Sequence, residues 1–134
     1  MWLIQRTGLV LLVVAFVSFQ SCRTEDQRAR IAELQALAQK LPKFPDFKQV
    51  RYSDISKPGI ATVSYYYKSP TGFASVKEFY RKELSARGWT EEKQEGWWID
   101  SDSPATFRKG NYDIIVTRDD ILIWQYTIDF SWKS

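Results

Sequence analysis

The chain has 134 residues, a formal net charge of +3, one cysteine at position 22 and no histidine. A lone cysteine cannot close an internal disulfide, and without histidine there is no Cys/His metal cluster and no Ser-His or Cys-His catalytic pair. The 19 basic and 16 acidic side chains are interspersed, so the footprint of a nucleic-acid binder is missing, and neither a nucleic-acid partner nor a cofactor is expected.

The first element in chain order is the segment 1–21, an expected signal peptide or membrane anchor. Arg6 is its only charged side chain, Leu9 to Phe19 form a short apolar core, and Ser21 precedes Cys22. A basic end, an apolar core and a small residue make an export address. Three fates remain open. In the first, the segment resembles a bacterial lipoprotein signal, which is cut before a cysteine that carries diacylglycerol as a thioether. Such signals want a leucine-like residue, a small residue and Gly, Ala or Ser ahead of that cysteine. Phe19, Gln20 and Ser21 occupy these places, so only Ser21 matches well. In the second, Trp2 to Ser21 stays uncut, since about 20 residues at ~1.5 Å each cover a ~30 Å hydrocarbon core. Arg6 would then snorkel to the interface, while Arg23, Arg28, Arg30 and Lys40 on the far side speak against a translocated domain. The third is a secretory cut or a buried helix; Ser18 with Gln20, or Phe19 with Ser21, supplies one small residue of the two such a cut wants. The main expectation is a domain anchored to a membrane on its periplasmic or cell-surface side, through lipid on Cys22 or through the segment itself.

Subtracting 21 from 134 leaves 113 residues, enough for one core. Residues 22–47 read as an amphipathic helix and a joint. Thr24-Glu25-Asp26-Gln27 can cap a helix, Ile31, Leu34, Leu37, Ala38 and Leu41 recur at helical spacing, and Pro42 and Pro45 stop it. That helix either stands as a stalk or lays its apolar stripe on the domain, docking being the expectation. Residues 48–134 read as an α+β domain. Gln49 to Ser53 and Ile60 to Lys68 are expected strands around the turn Lys57-Pro58-Gly59. A second helix is expected from a Ser75/Glu78 capping box, with Val76, Phe79, Tyr80 and Leu84 on its apolar face and Gly88 at its end.

The last third reads as an antiparallel meander: Trp89 to Gln94, Trp97 to Ile99, Ala105 to Lys109, Asn111 to Arg118 and Ile121 to Lys133, with a turn at Gly110-Asn111. In the last strand Leu122, Trp124, Tyr126, Ile128, Phe130 and Trp132 share one face, and Gln125, Thr127, Asp129 and Ser131 the other. One dry face and one wet face imply a small antiparallel sheet covered by helix on one side.

Phe79-Tyr80-Arg81-Lys82-Glu83-Leu84, followed by Gly88-Trp89, resembles a domain of uncharacterised bacterial exported proteins and lipoproteins. In that family a strand leads through a Ser/Pro/Gly turn to a helix with an FYxxxL motif that ends in Gly-Trp, and further strands follow. The resemblance spans about Ile60 to Ile128. It implies the fold and an extracytoplasmic location, and it brings no activity with it. The layout is also similar to the small helix-grip-like domains of outer-membrane assembly lipoproteins.

Three constellations could carry chemistry. Asp100 and Asp102, with Glu95 or Asp119, could divide acid and base roles in a glycan-acting enzyme, or bind calcium with Asn111; Asp100-Ser101-Asp102-Ser103-Pro104 also has the composition of a solvated turn. Trp97-Trp98 and Tyr65-Tyr66-Tyr67 alternate between faces, so Trp98, Tyr66 or Tyr67 could form a face that stacks on sugars or anchors a protein. Lys77, Arg81, Lys82 and Arg87 could meet an anionic partner, although Glu78 and Glu83 among them suit a salt-bridged surface. The expected function is a binding module without enzymatic activity whose partner is another envelope protein. The alternative is a carboxylate-dependent glycan-acting enzyme or a glycan-binding domain.

Overall fold

The computed structural model describes residues 25–96, 99–119, 121–122 and 125–134. The expected signal or membrane helix, the Thr24 cap, Cys22, Trp97, Trp98 and Trp124 lie outside them. Helix α1 covers 25–40 and stops ahead of Pro42, whose missing N–H and ring cannot continue it. Strands β1 (Lys48–Lys57) and β2 (Ile60–Lys68) follow, then helix α2 (Phe73–Ser85), then β3 (Thr90–Glu91), β4 (Ala105–Lys109), β5 (Tyr112–Arg118) and β6 (Gln125–Lys133). The six strands make one antiparallel sheet in the order β1-β2-β6-β5-β4-β3. This is the α+β architecture expected.

Both helices bury their apolar stripes in one core on one face of the sheet. Leu34 and Ala38 of α1 and Val76, Tyr80 and Leu84 of α2 meet Ala61, Val63, Tyr67, Phe107, Ile114, Val116, Tyr126, Ile128 and Phe130. Helix α1 is therefore docked. The joint is equally involved, since Phe47 stacks on Tyr67 and Tyr126 at ring separations of 4.8 and 5.4 Å and Phe44 meets Phe79 edge-on at 5.3 Å.

Four boundaries differ from expectation, each for a local reason. Helix α2 opens at Phe73 with Gly72 as its cap and no side-chain cap bond, so the Ser75/Glu78 capping box does not form. The Ser69 and Thr71 hydroxyls both donate to the Asp46 carboxylate at 2.5 Å. That tie fixes the turn and lets Val76 N–H reach the carbonyl of Gly72, three residues before the expected cap. Strand β1 runs on to Lys57 because Pro58 and Gly59, at φ 80°, supply a tight two-residue turn that keeps Lys57 opposite Ile60. Strand β3 is short: past Glu92, Lys93 to Glu95 have no apolar side chain to bury and remain exposed. Strand β6 starts at Gln125, as Asp119 caps the loop by accepting from the N–H groups of Ile121 and Leu122. Leu122 is thereby left outside the strand, while Tyr126, Ile128, Phe130 and Trp132 keep the expected face.

Candidate functional site

Strand register assigns the helix-free face row by row. Starting from the β1–β2 turn, Lys57, Ile60 and Lys133 make the first row, and Ile55, Thr62, Ser131, Asp113 and Arg108 the second. Ser53, Ser64, Asp129, Ile115 and Thr106 follow, then Arg51, Tyr66, Thr127 and Thr117. Hydroxyls dominate. They pair across strands, Thr62 with Ser131 at 2.9 Å and Ser64 donating to Asp129 at 2.5 Å. Arg108 Nε donates to Asp113 at 2.8 Å.

Tyr66 lies on this face, half-buried, with the Arg51 guanidinium 4.6 Å above its ring and Ser53 Oγ 3.5 Å from its hydroxyl. Its neighbour Tyr67 points the other way and is only 3% exposed, stacked under Phe47, so Tyr67 is a core residue and no part of a binding face. Burial pushes the Tyr67 phenol up to about 12. Of the two candidates among the described residues, Tyr66 is the one on an open surface. Trp98 and the lipidation candidate Cys22 are outside the described residues.

The candidate acids are used in turns. Asp100 accepts from Asp102 N–H at 2.9 Å and Ser103 Oγ at 3.4 Å, and Asp102 pairs with Arg118 at 2.7 Å. The two backbone bonds from Leu122 and Ile121 hold Asp119 below the usual carboxylate range. A cleft of about 530 Å³ lies between α2 and the 91–104 loop. In it Arg81 grips Glu91 through two nitrogens at 2.6 and 3.0 Å, and Lys77 donates to the carbonyls of Ser101 and Ser103. Arg81 also pairs with Glu78, and Arg87, just past the end of α2, pairs with Glu83, so the two arginines of this basic cluster are salt-bridged while Lys77 is occupied by backbone carbonyls. Among the described residues, no three acidic side chains converge as a metal site would require.

Sequence reasoning passed over Asp129. Burial raises its carboxyl above the usual range, and the bond from Ser64 opposes this only in part. The alternation of β6 does place Asp129 on the wet face, but Ser64 becomes its neighbour only through the β2–β6 register. Because the folded-state pKa is raised, the neutral acid is the form that folding favours. Its contribution is complete below the unfolded carboxylate value and is lost as pH rises through the folded value. Asp129→Asn, which stays neutral, is expected to melt higher than the parent near pH 7 and level with it near pH 3. Thermal melts at both pH values check this; an equal gain at both would remove the role given to ionisation.

The chain matches no family model, no curated protein and no solved structure in the comparisons made. The reading of its function therefore rests on its own residues.

Proposed function

We propose that this is a membrane-tethered protein of the bacterial envelope that acts by binding another envelope protein, without catalysing a reaction. The tether is lipid on Cys22 or the segment 1–21, and the domain sits on the periplasmic or cell-surface side. The observation that carries the binding role is the sheet face left bare by both helices, with Tyr66 and Arg51 stacked at its far end from the β1–β2 turn. Tyrosine and arginine are the residue types that anchor protein interfaces, because each covers apolar area and also donates hydrogen bonds. Arg51, Lys48 and Lys68 give this end a positive charge, which suits an acidic partner.

Two measurements test the reading. Intact mass of chain purified from membranes is expected to show a diacylated mature protein that begins at Cys22, and Cys22→Ala to abolish that species. A chain starting at Arg23, or an unmodified Cys22 in a full-length chain, overturns the lipid. For binding, a partner captured from envelope extracts and then purified is expected to lose affinity by at least about tenfold with Tyr66→Ala or Arg51→Glu, as for a truncated hot spot. Undiminished binding by both variants overturns the role of the face. The glycan reading has one observation in its favour, the half-buried Asp129 set diagonally across β5 and β6 from Asp113. Release of sugar from envelope glycan that vanishes in Asp129→Asn would favour it.

A further inference from the structure

The end of the domain that holds the start of α1 also holds the β1–β2 turn and the last residues of β6. Asp26, Gln27 and Arg30 of α1 share a cavity of about 590 Å³ with Lys57, Pro58 and Ile60. Arg30 fastens α1 there, its guanidinium 3.7 Å over the Trp132 ring of β6 and its Nη1 donating to the Tyr112 hydroxyl of β5 at 3.4 Å. Two of the large apolar side chains that the fold leaves outside lie at this end, Ile60 at 44% and Ile55 at 60% exposure. They are neighbours on the bare face, since Ile55 stands opposite Thr62 and Ile60 is two residues away on the same strand. Lys57 and Lys133 flank Ile60 directly, one on each adjoining strand.

Exposed isoleucines set between lysines are what an interfacial lipid contact requires, apolar groups entering the headgroup boundary while cations meet anionic lipid. Chain length points to the same surface. From Cys22 to residue 25 the backbone can span at most about 10 Å, and α1 is fastened beside the hairpin tip. Of the acids at this end, Asp26 borders the cavity from the α1 side, and Asp113, in the Ile55 row, is only 9% exposed and is paired with Arg108 at 2.8 Å, so Lys57 and Lys133 are the charges that flank Ile60 on the bare face.

We propose that the β1–β2 tip rests on an anionic bilayer surface, with Ile55 and Ile60 in the interface and Lys57 and Lys133 among the headgroups. This rests on the tethered reading in that the anchor supplies the proximity. The domain then stands on the membrane in a fixed orientation. Tyr66, six residues along β2 at about 3.4 Å each, is held about 20 Å from the bilayer, open to a protein partner.

The experiment uses the full chain purified from membranes, one copy per nanodisc containing anionic phosphatidylglycerol, and amine acylation read by mass spectrometry. Lys57 and Lys133 are expected to react about fivefold more slowly in nanodiscs than in neutral detergent, the protection a lysine gains at an anionic surface. Lys48 and Lys68, exposed at the other end of the same two strands, are expected to react equally in both. The double variant Ile55→Asp and Ile60→Asp is expected to remain in the disc and melt as the parent does, but to lose the protection. Equal reactivity of all four lysines in nanodiscs overturns the resting contact and leaves the tether standing. Chain that does not enter nanodiscs overturns the tether and the contact together.

Discussion

Leu34→Ala is expected to destabilise the protein by about 2–5 kcal/mol, the range for emptying a fully buried leucine site. Leu34 has no exposed surface although it lies on the helix outside the sheet domain expected from sequence. A leucine on a free stalk would cost less than about 0.5 kcal/mol when truncated, so the two arrangements of α1 predict results several-fold apart. Urea unfolding with an unchanged m-value checks it, because loss at constant m reports stability rather than a looser denatured state. The result reaches function through geometry. A docked α1 fixes the start of the helix beside the β1–β2 tip through Arg30 on Trp132, which the proposed bilayer contact requires; were α1 to swing, that contact would give neither the tip nor Tyr66 a defined height.

The sequence makes the α+β architecture legible wherever periodicity and punctuation agree. Ile60 to Lys68 appears as expected because a Pro-Gly turn and a Ser-Pro turn bound an alternating run. Tyr126 to Trp132 keeps its dry face for the same reason. Failures fall where a distant partner decides. No local signal says that Asp46, 23 residues before Ser69, will hold the turn that opens α2, so the nearer Ser75 looks like the cap. Likewise, alternation sets Tyr67 on the face of Ala61 and Val63 and Tyr66 on that of Thr62 and Ser64, but that Phe47 from the joint closes over Tyr67 is visible only in the fold. The candidate site was thus half readable: Tyr66 could be named, whereas Arg51 comes to lie over it only through the β1–β2 register that the Pro58-Gly59 turn sets, and Lys48 joins Lys68 beyond them only through the irregularity between Gln49 and Arg51. Asp129 is harder still, since a carboxylate on a wet strand face gives no sign that neighbouring strands will shield it.

Tyr80→Ala is expected to cost about 3–5 kcal/mol, as for other buried aromatic deletions, whereas Tyr80→Phe should cost only about 0.5–1.5 kcal/mol. The contrast tests what the FYxxxL and Gly-Trp motif is for. Its residues hold elements together: Phe79 meets Phe44, Tyr80 is buried with its hydroxyl accepting from Phe44 N–H at 3.4 Å, and Leu84 is enclosed. Gly88 then takes φ 84°, and Trp89 N–H returns to the Leu84 carbonyl at 3.0 Å. Each contact fastens α2 to the joint or to the next strand, and none faces the bare side of the sheet. Removing the ring opens a cavity under Phe47 and Phe44, which frees the joint and with it the seat of α1. Removing the hydroxyl alone takes away one long hydrogen bond and leaves the packing. Tyr80→Phe should therefore melt only a few degrees below the parent chain and keep its captured partner; loss of the partner at so small a shift would make the motif a recognition element and displace the bare face around Tyr66.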